Sequence, residues 1–364
     1  MLLKVAIVGT GHMGKIHLGK LHAFKGVRVA GIVDIDPLAE REAAEAGLHV
    51  YPDLAAACAD PAADFFFICT PNEVHRPIAL AGLAAGKHVI TEKPAMLNTG
   101  EIEEVMAAAE AAGRKFIVHQ NRRWDEDYLV MKALYEDKTL GDVTFIETRV
   151  DGSRGIPGDW RRDPNRGGGM VLDWGVHLVD RLLCMVPSPV LTVYGRLSYA
   201  LGAPVEDGFT IYLTFANGVE ALVACTTDNY APRAKFHMTG TRGTATVDDW
   251  EMHGKIVRRV ADVEPDAIPI VAGKGMTKTM APRIVDYAQL AKVQDNVEVL
   301  PLPRIDSDIH DFYRNAIAAA EGVTEQAVST ASVARCMRVL EAARRSHETN
   351  SVVDLSAIDS YLEA

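Results

Sequence analysis

The first chemistry visible in the sequence is a way of holding phosphate. Near the N-terminus an apolar strand, Lys4-Val5-Ala6-Ile7-Val8, runs into Gly9-Thr10-Gly11-His12-Met13-Gly14 and then directly into a helical stretch. The spacing is G-x-G-x-x-G, and strand, tight turn and helix are the context it needs. Gly9 permits the turn, Gly11 lets the backbone approach a pyrophosphate, and Gly14 allows close helix–strand packing. The phosphates then sit on the partly positive helix N-terminus, with Thr10, His12 and Met13 as the other loop residues within reach. A second strand ends at Asp34, 20 residues beyond Gly14, where a carboxylate accepts hydrogen bonds from the adenosine ribose. A 2′-phosphate would face that carboxylate, and no Arg or Lys follows in Ile35-Asp36-Pro37, so NAD is expected and NADP disfavoured. The strand ending Ile68-Cys69-Thr70-Pro71-Asn72 opens on the same crevice. Thr70 and Asn72 are candidate cofactor contacts. His75 is counted with them, its other reading being a helix-start residue with no chemical role.

Two further segments carry reactive side chains. One strand ends Thr91-Glu92-Lys93-Pro94, which puts an ammonium at the mouth of the crevice, next to where a nicotinamide would lie. Glu92 and Lys93 therefore join the cofactor set, although Glu-Lys-Pro taken alone is a common solvated loop. Further on stands Gly167-Gly168-Gly169-Met170-Val171-Leu172-Asp173-Trp174-Gly175-Val176-His177. Asp173 and His177 are four residues apart and on a helix share one face. The glycines before them remove side chains where something else must come close. The plain alternative is a surface pair or a helix-start interaction.

These residues need elements to position them. Up to about residue 120 short apolar strands (Val5–Val8, Val29–Val33, Phe65–Thr70, Val89–Thr91, Phe116–His119) alternate with helical stretches (Met13–Phe24, Leu38–Ala46, Pro77–Ala85, Glu101–Ala112). Strands apolar throughout, such as Phe65-Phe66-Phe67-Ile68-Cys69, belong to a parallel sheet covered on both faces, here an N-terminal Rossmann doubly wound α/β domain over residues 1–122. Residues 123–364 read as a second, α+β domain. It opens with a helix (Glu126–Glu136), a strand (Val143–Val150) and a helix (Val171–Met185). Strands Leu191–Ser198, Phe209–Phe215, Val219–Thr226, Ala234–Thr239 and Thr244–Val247 follow, with Asn217-Gly218 as a hairpin turn, and then helices Ile309–Ala320 and Ser332–Ser346. That pattern predicts a large open, mostly antiparallel sheet. Ala261–Arg283 is read as a long loop; its Gly273-Lys274-Gly275-Met276-Thr277 lacks the spacing of a phosphate loop.

Composition narrows the class. With 48% hydrophobic and 24% charged residues the 364-residue chain is a folded protein too long for one ordinary core. A formal net charge of −11 argues against nucleic acid as a partner. Five scattered cysteines support neither a disulfide framework nor a zinc site, and no metal is expected. With no leader and no apolar run of ~20 residues, a cytoplasmic, complete chain without membrane contact is expected.

Taken in order, the glycine loop (Gly9, Gly11, Gly14), Glu92-Lys93-Pro94 and the glycine-led Asp173-x-x-x-His177 segment resemble the glucose–fructose oxidoreductase/inositol dehydrogenase/MocA (Gfo/Idh/MocA) family. The resemblance covers most of the length. It implies a Rossmann domain followed by an α/β domain whose open sheet forms homodimers or homotetramers. It also implies oxidation of a secondary alcohol on a sugar, polyol or related compound, or the reverse reduction. The family's catalytic Lys, Asp and His match Lys93, Asp173 and His177. On that match His177 is the base, Lys93 stabilises the reacting oxygen, and Asp173 orients His177 or the substrate.

Two Arg–Arg pairs, each beside a Trp, complete the candidate site: Asn121-Arg122-Arg123-Trp124 and Trp160-Arg161-Arg162. Asn121, Arg123, Trp160 and Arg161, with Asp173 and His177, are the candidate substrate contacts. Such a set suits the face of a carbohydrate ring bearing an acid group; the other reading is interdomain or subunit salt bridges. Two functional alternatives stay open. A retained, recycled NAD would support glycoside cleavage or epimerisation, and a non-catalytic NAD sensor would need none of the three reactive residues.

Overall fold

The computed structural model describes residues 3–24, 26–260, 272–273, 276–277, 297–308 and 310–357. Its N-terminal part is a five-stranded parallel sheet of β1 (Leu3–Val8), β2 (Val27–Val33), β3 (Phe65–Ile68), β4 (His88–Thr91) and β5 (Phe116–Val118), in the order β2-β1-β3-β4-β5. Strand order reverses between β1 and β3, so a crevice opens beyond their C-terminal ends. All four residues of β3 are buried because helices cover both faces.

Those helices are α1 (His12–Ala23), α2 (Pro37–Glu45), α3 (Leu54–Ala59), α4 (His75–Ala84) and α5 (Thr99–Ala112). Asp36, Asp53 and Asn98 cap α2, α3 and α5 by accepting the amides of Leu38, Ala56 and Glu101. At α1 the capping position is Gly11, with no side chain to do the same. The one helix start that faces the crevice is thus left for something else to satisfy.

After α6 (Glu126–Glu136), β6 (Val143–Asp151) and α7 (Val176–Met185) come β7 (Val190–Ser198), β8 (Gly208–Phe215), β9 (Glu220–Thr226), β10 (Phe236–Gly240), β11 (Gly243–Val247) and β12 (Gly254–Arg259). The two-residue strands β13 (Ala272–Gly273) and β14 (Met276–Thr277) pair only with each other. The last strands are β15 (Val297–Leu300) and β16 (Val353–Asp354), and between them lie α8 (Asp311–Ala320) and α9 (Thr330–Thr349). Nine strands form one open sheet, β15-β12-β11-β10-β6-β9-β8-β7-β16, antiparallel except for β6 beside β9. One face packs under α7 and α9: the Gly195 amide on β7 donates to Ser346 Oγ on α9 at 2.9 Å, and a side chain at Gly195 would strike the α9 backbone at Ala343. The other face carries a cross-strand row of Tyr194, Tyr212, Leu222, Glu147, His237 and Thr246.

The structure departs from the sequence reading in three places. Strands β12, β15 and β16 and helix α3 were not expected from the pattern. The stretch expected as one helix from Val171 begins with a π-helical turn, Val171–Gly175, before α7. A single cut at residue 122 also misses α8, which returns to the first sheet. Its Tyr313 is buried with its ring 6.2 Å from His17 and 6.4 Å from Phe67, since Phe312, Tyr313, Ala316 and Ala319 form an apolar stripe that only the β1–β3 surface accommodates. Burying each aromatic there contributes about 1.5–3 kcal/mol. The expected loop Ala261–Arg283 lies outside the described residues apart from β13 and β14.

Candidate active site

The β1–α1 turn has the shape the glycine spacing predicts. Gly9 takes φ +90°, open to glycine at little cost, and a side chain at Gly14 would run into the Gly9 carbonyl. At Gly11 a side chain would project into open space, over the uncapped amides of α1. That space, with amides aimed into it, fits a pyrophosphate. Asp34 stands beside it. Its Oδ2 accepts from Thr10 N and Oγ1, both at 2.6 Å, and its Oδ1 from Ile35 N at 2.8 Å and Asp36 N at 3.0 Å. Partial burial pushes this carboxyl up, but the four donors outweigh it and hold it below its ordinary value. Thr70 Oγ1, buried on the same crevice, has no hydrogen-bond partner among the described residues. An orphaned hydroxyl there fits a ligand that supplies the missing bond.

The crevice continues into a cleft of about 550 Å³ lined by Gly11, His12, Met13, Thr70 and Asn72 from the first sheet's side. Glu92, Lys93, Asn121 and Arg122 line it at the junction, and Trp160, Arg161, Asp173, Trp174 and His177 close it from the second. Its size is that of a small-molecule site. Lys93, at the end of β4, donates from Nζ to Asp173 Oδ1 at 2.7 Å and to the Asp173 carbonyl at 3.0 Å. Asp173 Oδ2 accepts from Arg161 Nε at 2.9 Å, and Arg161 also holds Asp159 at 2.8 Å. Burial alone would raise the Asp173 carboxyl; Lys93 and Arg161 reverse that and keep it ionised below its ordinary range.

Among the described residues Asp173 bonds to Lys93 and Arg161 and not to His177, so of the two roles expected for it orienting His177 is not seen. Asp173 stands in the π turn Val171–Gly175 and His177 in α7. Gln120 does the orienting instead. Its Nε2 donates to the Val176 carbonyl at 3.1 Å, which turns its Oε1 toward His177 Nδ1 at 3.2 Å. Since Oε1 can only accept, Nδ1 carries the proton and Nε2 keeps its lone pair. Burial first, then Lys93, Arg122 and Arg181, push the His177 imidazole well below its ordinary value, so it is neutral and ready to accept a proton.

The glycine run earns its place at Gly169, where φ is +99° and a side chain would collide with the Glu206 carboxylate. Glu206 is buried on the loop between β7 and β8. Its Oε1 accepts from Val171 N at 3.1 Å and Arg344 at 2.9 Å, and so pins the start of the turn that carries Asp173.

Of the other expected contacts, Asn121 and Trp160 line the cleft, while Arg123 and His75 do not. Arg123 turns away and grips Asp180 with Nε at 2.8 Å and Nη2 at 2.6 Å, also reaching Ala327 O and Ser332 Oγ. It borders a separate hollow of about 820 Å³ walled by Trp124, Tyr128, Leu129 and Leu183. The 3-10 turn Asn121–Trp124 sends successive side chains in different directions, and Arg122 is the one that faces the cleft. His75 is fully buried and tied to the carbonyls of Thr70 at 2.9 Å and Pro94 at 3.1 Å, bracing the two strand ends. Asn72 reaches the second domain through Arg166 O at 3.1 Å. Glu92 is buried in the cleft wall, its Oε1 bridging His17 at 2.5 Å and His119 at 2.9 Å and its Oε2 accepting Lys93 N at 3.1 Å. Gln120, Arg122, Trp174 and Glu206 were not singled out in the sequence; the contacts that place them in the site (Gln120 with His177, Arg122 with Trp174, Glu206 with Arg344) join residues dozens of positions apart.

Of the two readings of the arginines, the salt bridges are what the described residues show. Arg161 holds two carboxylates, Lys93 holds Asp173, and Arg122 pairs with Asp125 at 2.8 Å while stacking 4.5 Å from the Trp174 ring. Each cation in the cleft already has its anion.

Comparison with known proteins agrees with this geometry. The family model described as "Oxidoreductase family, NAD-binding Rossmann fold" matches residues 3–120, and that of the GFO/IDH/MocA C-terminal domain matches residues 128–246. An NAD-binding protein from Listeria innocua has a solved structure with a TM-score of 0.85 and 35% identity, over 97% of each chain. The oxidoreductase YdgJ of Escherichia coli (strain K12) is 33% identical over 186 residues, 51% of this chain and 54% of that protein. The scyllo-inositol 2-dehydrogenase (NADP(+)) IolW of Bacillus subtilis (strain 168) is 29% identical over 157 residues, 43% of this chain and 44% of that protein. The matched stretches therefore span about half the length of these two relatives.

Proposed function

The chain belongs to the Gfo/Idh/MocA family of NAD-binding oxidoreductases, and from that premise we propose that it oxidises a secondary alcohol of a sugar, polyol or sugar derivative to the ketone, or runs the reverse, with NAD(H). The observation that carries this reading is the meeting of Lys93, Asp173 and His177 at the inner end of a cleft that begins at the glycine loop.

The nicotinamide cofactor supplies the hydride chemistry. Everything else falls to this chain's residues. The α1 amides and the Gly9–Gly14 turn would hold the pyrophosphate, and Asp34, fixed by Thr10, Ile35 and Asp36, would stand beside the adenosine ribose and accept from its hydroxyls in exchange for one of these bonds. His177 Nε2 takes the proton of the reacting hydroxyl. Lys93 hydrogen-bonds the same oxygen and stabilises the charge that grows on it. Asp173 aims Lys93 through two hydrogen bonds to its Nζ and is itself shared with Arg161. A buried pair of this kind is costly to break: removing one partner leaves a charge stranded at about 3–5 kcal/mol.

Two finer choices follow from electrostatics. Asp34 is held ionised where a 2′-phosphate would approach, which favours NAD over NADP, although the Bacillus subtilis relative is named for NADP. The paired cations of the cleft favour a neutral substrate over a uronate or a sugar phosphate. Indole faces at Trp160 and Trp174 suit the apolar side of a ring. The scyllo-inositol dehydrogenase among the relatives is named for such a neutral ring polyol.

The test is the rate of NAD and NADP reduction over a panel of neutral cyclic polyols, aldoses, uronates and sugar phosphates. NAD-linked turnover of a neutral ring compound is expected. Turnover confined to the acidic members would overturn the substrate class, and a preference for NADP would overturn the part assigned to Asp34.

A further inference from the structure

Beneath the reactive residues lies a second polar cluster that the mechanism leaves unused. Glu92 is 6% exposed and sits between His17 on α1 and His119 at the end of β5, with Tyr313 of α8 behind. Hydrogen-bond partners assign the protons. His17 Nε2 donates to Glu92 Oε1, and its Nδ1 faces the Tyr313 hydroxyl at 2.6 Å, which can donate to it. His119 Nδ1 donates to the same oxygen at 2.9 Å. Its Nε2 is buried with no partner among the described residues.

Burial also lowers His17, in agreement with that assignment. For Glu92 burial acts upward, but its bonds to His119 and His17 hold the carboxyl well below its ordinary range. The cluster is thus built around a buried carboxylate that accepts from two imidazoles and the Lys93 amide. Lys93, the next residue, is committed to Asp173, and Lys20, half-buried on α1, is the other cation that feels Glu92. Glu92 nevertheless lines the cleft that holds Lys93 and His177, the residues that must meet the reacting carbon.

An oxidised nicotinamide ring carries a positive charge and a reduced ring carries none. We propose that the buried Glu92 carboxylate, which accepts hydrogen bonds from His17 and His119 in the wall of the cleft, makes this site discriminate between the two forms of its cofactor and bind NAD⁺ in preference to NADH. This rests on the reading of the cleft as a nicotinamide site. A fixed charge in a water-poor wall acts over several ångströms with little screening, so it separates two ligands that differ by one unit of charge. Glu92 contributes by its charge and not by contact with the reacting atoms.

Equilibrium titration of the full-length protein with NAD⁺ and with NADH tests this without any substrate. In Glu92→Gln the NAD⁺ dissociation constant should rise about tenfold more than the NADH constant, since the amide keeps the shape and loses the charge. Glu92→Asp should keep the wild-type ratio of the two constants even if both weaken. A purely structural role would weaken both forms alike in Glu92→Gln, and a ratio unchanged within about twofold overturns the proposal. If Glu92→Gln does not fold, the wild-type ratio decides: NAD⁺ bound more tightly than NADH is expected, and NADH bound as tightly or more tightly overturns the proposal. Wild-type protein that binds neither form would overturn the cofactor reading itself, and this proposal with it.

Discussion

At the scale of single residues, the site works by leaving each group one thing to do. Gln120 shows this best, because its amide is fixed at one end by Val176 O and so dictates the tautomer of His177 at the other. Gln120→Leu should lower kcat about 10- to 100-fold with little change in cofactor affinity, as steady-state kinetics beside NAD titration would reveal. Equal losses in both would mean that Gln120 only supports the fold. His177 also predicts a pH dependence. Its folded value lies well below the ordinary imidazole range, while in the unfolded chain it titrates near about 6.5. Its contribution to stability is therefore complete above about 6.5 and is lost as pH falls from there toward the folded value. The acid limb of the oxidation rate should likewise fall below the ordinary imidazole range, and a limb centred near about 6.5 would point to a different base. Asp34 and Lys93 were legible in the sequence because each ends a strand at a fixed distance from its motif. Arg122 and Arg123 were not separable, since the phase of one 3-10 turn decides which of two adjacent arginines enters the cleft.

At the scale of elements, the π turn at Val171–Gly175 and the loop before it deliver Asp173 to Lys93 and leave His177 to Gln120. Spacing alone predicted a shared helical face, and nothing in the local sequence signals the extra residue in the turn. The glycine run was legible as a place of close approach; that the neighbour is Glu206, from another loop, was not. Gly169→Ala would force a side chain into that carboxylate at φ +99° and should cost about 1–3 kcal/mol, read as a lowered Tm and a drop in kcat, with NAD affinity kept. A variant of unchanged Tm and rate would show that the turn is not anchored there. The strands missed in the sequence, β12, β15 and β16, lie at or near the sheet edges, and β16 has only two residues, too few for an alternation to register.

At the scale of the whole molecule, two sheets of different design meet at one cleft. Apolar strand runs announced the parallel sheet, and short alternating strands announced the open one. The face turned away from α7 and α9, with Tyr194, Tyr212 and Leu222 in register across three strands, is where we expect two copies to associate. Tyr212 is 47% exposed, and Tyr212→Arg should shift the mass measured by light scattering from dimer or tetramer toward monomer. An unchanged mass would move the interface elsewhere. The same two-sheet construction splits the reactive set, with Lys93 just beyond β4 of the first sheet and Asp173 and His177 on the π turn and α7 of the second part. The central claim is that they act together on one bound alcohol. Its most direct test is Lys93→Met, assayed for NAD binding and for hydride transfer in a single turnover. The account predicts NAD affinity within a few-fold of wild type and transfer slowed by on the order of 10²–10³-fold; wild-type transfer in that variant would contradict it.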